Sequence, residues 1–128
     1  MQIEKQENTR ILIVDDEPVL ALSLEEILVD AGFTIAAVVY KLDKAVALIE
    51  SGACDAAIID ANLAGVSASP AASALATRGL PFIVLSGYSR EQLERGFPGA
   101  TFMQKPFRSA QLLQAVSALV LKCQHNDR

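Results

Sequence analysis

Short, uninterrupted apolar runs alternate with segments of helical period along this chain, and the alternation repeats five times. Ile11-Leu12-Ile13-Val14, Ala56-Ala57-Ile58-Ile59 and Phe82-Ile83-Val84-Leu85 carry apolar side chains at every position. Such runs, bounded by turn signals, read as strands buried on both faces. Strands are expected at about Arg10–Val14, Thr34–Val39, Asp55–Asp60, Pro81–Ser86 and Ala100–Gln104. Leu20, Leu24, Ile27, Leu28 and Ala31 repeat at helical spacing, with Pro18 suited to the first turn and Gly32 to the C′ position. Leu42, Ala45, Val46 and Ile49 mark a second helix, stopped by Ser51-Gly52. Ser69 reads as the N-cap of an Ala-rich helix with Pro70 at its first position, running to Arg78 and stopped by Gly79. Ser89 and Gln92 have capping-box spacing and open a fourth helix. That helix has few apolar anchors beyond Leu93 and is ended early by Gly96 and Pro98, so it is expected to be the shortest and loosest. Leu112, Leu113, Val116, Leu119 and Val120 make a strongly amphipathic final helix. Residues 1–9 read as a polar leader, 10–121 as one folded domain and 122–128 as a polar tail.

Strands that alternate with helices form a parallel sheet covered on both faces, so the fold class is α/β, a doubly wound five-stranded sheet. Ligands on such sheets sit at the carboxyl ends of the strands, where the strand order switches. The polar residues of this chain gather there. The first strand ends on Asp15-Asp16, the third on Asp60, the fourth on Ser86 and the fifth on Lys105. The second ends on Val39-Tyr40-Lys41, which fits an edge strand outside the site. An unpaired carboxylate in an apolar core is too costly. Asp60 is therefore expected to leave the core at the strand's end and to face water, a metal or a cation.

Composition narrows the partners. Half of the 128 residues are apolar (52%), enough for one domain with a large core built mainly from Ala, Val, Ile and Leu. The net charge of −4 argues against direct binding to nucleic acid, which needs Lys and Arg to neutralise phosphates. No apolar run approaches the roughly 20 residues of a membrane span, and the polar first residues do not form a signal peptide. Cys54 and Cys123 fit a reduced, cytoplasmic setting as small apolar fillers. The one histidine, His125, falls in the polar tail and is expected to be solvated.

Three carboxylates at one sheet edge repel one another unless a cation joins them. Mg²⁺ suits them, since it takes hard oxygen ligands, keeps waters and shares its shell with phosphate oxygens. Lys105 adds a compact positive charge and Ser86 a short hydroxyl. Together these groups suit holding a phosphoryl group, or making Asp60 a nucleophile toward one. Each part has a plainer reading: Asp15-Asp16 as first-turn carboxylates of a helix, Ser86 as a turn residue, Lys105-Pro106 as an exposed loop. Their conjunction at strand ends is much more specific than any one of them.

At this point the chain resembles the response-regulator receiver domains of two-component signalling. Ile13-Val14-Asp15-Asp16-Glu17-Pro18, Ile58-Ile59-Asp60-Ala61-Asn62-Leu63-Ala64-Gly65, Ser86-Gly87 and Lys105-Pro106-Phe107 carry the resemblance over about residues 10–121. It implies a flavodoxin-like strand order, 2-1-3-4-5, and a phosphoacceptor rather than an enzyme, with Asp60 taking phosphate from a sensor histidine kinase or a phosphotransfer protein. By the same resemblance Asp16 binds Mg²⁺ directly, Asp15 mostly through water, and Asn62 through its backbone carbonyl. Ser86 would bond the phosphoryl oxygen, Lys105 would pair with it, and the Lys105-Pro106 bond would be cis. Phe102, three residues before Lys105, falls where receivers carry a switch Tyr or Phe; having no hydroxyl, it would switch by ring packing alone.

Pro81-Phe82-Ile83-Val84-Leu85-Ser86-Gly87-Tyr88 is similar to the Pro-Phe-x-Phe-Ala-Thr-Gly-Tyr signature of a single-domain receiver subgroup found in alphaproteobacterial phosphorelays. Pro81, Phe82, Gly87 and Tyr88 match it, while Val84, Leu85 and Ser86 depart. Ser86, Tyr88 and Phe102 are thus the expected switch residues. Two other classes fit less well. A phosphatase with an aspartyl-phosphate intermediate would resemble an Asp-x-Asp-x-Thr pattern after the first strand. A flavodoxin-like cofactor binder would need a Ser/Thr/Gly-rich loop where this chain has Asp-Asp-Glu-Pro. The expectation is a stand-alone cytoplasmic response regulator in a two-component system or phosphorelay, with a downstream protein target, no DNA contact and no membrane span.

Overall fold

The computed structural model describes residues 9–87, 97 and 100–126. Most of the polar leader, Tyr88 and the helix expected from Ser89 lie outside the described residues. Five parallel strands, β1 (Arg10–Val14), β2 (Thr34–Val39), β3 (Ala56–Asp60), β4 (Phe82–Ser86) and β5 (Thr101–Gln104), form one sheet. Their order is β2-β1-β3-β4-β5, the flavodoxin-like order, with β2 on an edge. Four helices are described: α1 (Pro18–Asp30), α2 (Leu42–Glu50), α3 (Ser69–Thr77) and α4 (Ser109–Asn126). The last runs on through residues 122–126, which sequence placed in the tail.

Side-chain parity along the strands sorts the core into two layers. Leu12, Val14, Ala57, Ile59 and Val84 pack with Ala45 and Ile49 of α2 and Ala71, Ala72 and Leu75 of α3. Ile11, Ile13, Ala56, Ile58, Ile83 and Leu85 pack on the other face with Ala21, Leu24 and Leu28 of α1 and Leu112, Val116 and Leu119 of α4. Beyond exposed Arg10, both faces of β1 and β3 are buried, which is why the runs show no polar alternation. Cutting one of these buried isoleucines to Ala would cost about 2–5 kcal/mol. A site carried on the ends of β1 and β3 therefore stands on a stiff base.

At the amino ends of the same strands one ion pair fixes the start of β1 against β3. The Arg10 guanidinium donates from Nε to Asp55 Oδ2 and from Nη2 to Asp55 Oδ1, each at 3.0 Å, and from Nη2 to Gly52 O at 3.0 Å. Their main chains join in as well: Arg10 N–H donates to Asp55 Oδ2 at 2.9 Å and Asp55 N–H to Arg10 O at 2.8 Å. Cys54 is a buried filler, and the Cys123 thiol donates to Asp55 O at 3.3 Å. Among the described residues no helix is long and apolar enough to cross a membrane.

The expected cap of α3 needs correcting. Its N-cap is Ala68, so Ser69 and Pro70 fall in the first helical turn, and Ser69 N–H donates to Ser67 Oγ at 3.1 Å. Pro70 tolerates this place because first-turn N–H groups have no helical partner.

Candidate functional site

Cross-strand hydrogen bonds beyond the regular ladder clamp the carboxyl ends of the inner strands. Asp15 N–H donates to Val39 O at 3.1 Å, Ala61 N–H to Leu85 O at 2.9 Å, and Lys105 N–H to Ser86 O at 2.7 Å. The backbone beside each charged residue is thus tied to a neighbouring strand, and the side chains are aimed by the sheet itself. The Lys105-Pro106 peptide bond is cis, as the resemblance implied.

After Asp60 the chain makes a tight antiparallel hairpin, Asn62–Leu63 against Val66–Ser67, which sequence reasoning missed. Its two turn residues, Ala64 (φ 55°) and Gly65 (φ 86°), both lie in the left-handed region, as a type I′ hairpin turn requires. Ala is an unusual choice there, so the signal was weak. Asn62 Oδ1 accepts from Gly65 N–H at 2.7 Å, which ties the Asn62 side chain into the turn. Its backbone N–H donates to Asp60 Oδ1 at 3.2 Å.

Asp15, Asp16 and Asp60 bring one carboxylate oxygen each within 4.8 Å of one another. Asp60 does not emerge into water: it is buried, with 7% of its surface exposed. The expectation that Asp60 leaves the core fails, because two donors sit in the fold beside it. Lys105 Nζ donates to Asp60 Oδ2 at 3.2 Å, and Asn62 N–H serves the other oxygen. Of the partners sequence allowed for Asp60, the structure supplies the cation. Ser86 is buried at the end of β4.

Asp15 is fully buried and only half satisfied. Its Oδ1 accepts from Glu17 N–H at 2.9 Å, while its Oδ2 has no hydrogen-bond partner. Burial pushes its carboxyl up to about 6; the Glu17 N–H opposes this, the Asp60 carboxylate adds to it, and Lys105 opposes it. A buried carboxylate oxygen without a donor is a standing cost. Oxygen donors from three carboxylates, one of them orphaned, fit a small hard cation such as Mg²⁺.

The remaining site residues fall elsewhere. Tyr88 lies outside the described residues. Phe102 on β5 is partly buried, packed against the α2/α3 layer, with its ring edge-on to Phe97 at a centroid distance of 6.3 Å. Glu17, to which sequence reasoning gave no role, has its Oε1 3.9 Å from Lys105 Nζ. The third acid in Asp15-Asp16-Glu17 was the available signal.

Comparison with known proteins bears on the family and the fold. The family model described as the response regulator receiver domain matches residues 11–117. The solution structure of SdrG from Sphingomonas melonis Fr1 is 39% identical, covers 88% of this chain and 96% of its own, and has a TM-score of 0.74. A response regulator receiver protein from Sinorhizobium medicae WSM419 is 33% identical, covers 91% of this chain and 98% of its own, and has a TM-score of 0.80. The transcriptional regulatory protein PdtaR of Mycobacterium tuberculosis is 29% identical over 115 residues, which are 87% of this chain. Those residues are 56% of PdtaR, so the chain spans little more than half the length of that curated relative.

Proposed function

The chain belongs to the response regulator receiver domains, and on that premise we propose that Asp60 is the phosphoacceptor of a phosphorylation switch. A carboxylate oxygen of Asp60 attacks phosphorus. The bond from phosphorus to the donor atom breaks, an imidazole nitrogen when the donor is a phosphohistidine, and the leaving group keeps the electron pair. The product is an acyl phosphate on Asp60. The observation that carries this reading is Asp60 itself, held between Lys105 and the Asn62 N–H and facing Asp15 and Asp16.

Each surrounding residue has a distinct task. Asp15, Asp16, Asp60 and the Asn62 backbone carbonyl would hold Mg²⁺. Bound there, the ion would offset the charge of the three carboxylates and of the transferring phosphoryl oxygens. Lys105 pairs with Asp60 before transfer and with a phosphoryl oxygen after it. Ser86, at the neighbouring strand end, donates its hydroxyl to another phosphoryl oxygen. Ser86, Tyr88 and Phe102 then carry the change outward, Phe102 by repacking its ring, since it has no hydroxyl to move. Phosphate comes from a sensor histidine kinase or a phosphotransfer protein. The output is a contact with a downstream protein on the side of β5 and α4, and the protein acts in the cytoplasm.

Acetyl phosphate with Mg²⁺ tests the reading. Intact mass spectrometry should show one added phosphoryl group, lost with EDTA and lost in Asp60→Asn. Equal phosphorylation of Asp60→Asn would sink the assignment.

A further inference from the structure

Lys105 has a second acidic neighbour besides Asp60. Its Nζ is 3.2 Å from Asp60 Oδ2 and 3.9 Å from Glu17 Oε1. Asp60 is buried, whereas the Glu17 side chain is 66% exposed and the Lys105 side chain 23%. The Lys105 ammonium therefore lies between a buried carboxylate on the floor of the site and an exposed one at its rim.

The placement of Glu17 is built into the start of α1. Glu17 is the N-cap residue, with extended backbone (φ −97°, ψ 107°), yet its side chain makes no capping hydrogen bond. Pro18 follows at the first helical position, where its missing N–H would have had no helical partner. The Glu17 backbone is pinned at both ends: its N–H donates to Asp15 Oδ1 at 2.9 Å and its carbonyl accepts from Ala21 N–H at 2.9 Å. The carboxylate, released from capping, points to the lysine instead.

We propose that Glu17 is a positioning residue that shares Lys105 with Asp60 and so competes with the incoming phosphoryl group for the lysine. This rests on the phosphoacceptor reading of Asp60. During transfer the new bond forms between an Asp60 oxygen and phosphorus, and Lys105 shifts from the carboxylate to a phosphoryl oxygen. Glu17 opposes that shift by holding the ammonium toward the rim. Removing its charge frees the lysine for the phosphoryl group. An exposed pair is weak, so the gain is limited to about two- to fivefold in rate.

The test measures phosphorylation by acetyl phosphate at saturating Mg²⁺ for wild type, Glu17→Gln, Lys105→Ala and the double variant. Wild type that accepts no phosphate would fail the phosphoacceptor reading itself, before Glu17 is at issue. With wild type active, Glu17→Gln should react about two- to fivefold faster. That ratio should fall toward one in 1 M KCl, where the Debye length is about 3 Å. In the Lys105→Ala background, Glu17→Gln should make no difference, because Glu17 acts through the lysine. An unchanged or slower Glu17→Gln would overturn the proposal. So would an equal gain in the Lys105→Ala background, which would mark simple repulsion of the donor.

Discussion

The two ends of one sheet treat charge in opposite ways. At the amino end, Arg10 and Asp55 form a two-pronged pair, both side chains more than a third exposed, with main-chain bonds closing around them. Each holds the other in its charged form: the guanidinium keeps the Asp55 carboxyl below its ordinary range, and Asp55 raises Arg10. At the carboxyl end, Asp15, Asp16 and Asp60 converge with Glu17 at the rim, and among the described residues Lys105 is the cation paired there. One end is charge-balanced and serves register. The other is left acidic, and that imbalance is where a cation and a phosphoryl group would be accommodated.

The largest effect on stability should come from taking away the lysine. Lys105→Met leaves Asp60 buried without its cation, and breaking a largely buried pair costs about 3 kcal/mol. Urea denaturation in EDTA at pH 7 reads this loss directly.

Next comes Asp15, with the opposite sign. Its folded carboxyl titrates at about 6, above its ordinary 3.8, so the folded state holds the proton more tightly than the unfolded chain. The Asp15 contribution to the stability of the metal-free protein is then greatest below the unfolded value and falls as pH rises between the two, by about 2 kcal/mol. Asp15→Asn should remove that fall and be more stable than wild type at pH 7 in EDTA, by a similar amount. Denaturation midpoints at pH 4.5 and 7 check the sign.

The smallest effect belongs to the amino end. Arg10→Met should cost about 1 kcal/mol, because Asp55 can take up water in the guanidinium's place. Asp55 also carries the usual carboxylate sign: its contribution is present above the unfolded value and lost as pH falls through the folded one. If Arg10→Met proved as damaging as Lys105→Met, the contrast between the ends would not hold.

Much of this was legible in the residues. The strands over Arg10–Val14 and Thr34–Val39 follow directly from apolar runs and their breakers. The acidic pair, Asp60, Ser86 and Lys105 were placed together because each closes a run and parallel strands share a carboxyl edge. The burial of Asp60 was not legible. It depends on Lys105, 45 residues away, and on an Asn62 N–H turned inward by a hairpin whose Ala64 gave no sign of positive φ. The Arg10–Asp55 pair was hidden for the same reason, since only the adjacency of β1 and β3 brings these residues together. Ser69 was read as the cap one residue late, because Ser-Pro fits both the cap and the first turn of a helix.

Trapping the acyl phosphate tests the central claim most directly. Wild-type protein is treated with acetyl phosphate and Mg²⁺, reduced with borohydride, digested and mapped by mass spectrometry, since borohydride converts an aspartyl phosphate to homoserine. The predicted result is homoserine at residue 60 alone, with Asp15, Asp16 and the paired Asp55 unmodified. Modification at Asp15 or Asp16 in place of Asp60, or none at any of them in the presence of Mg²⁺, would contradict the account.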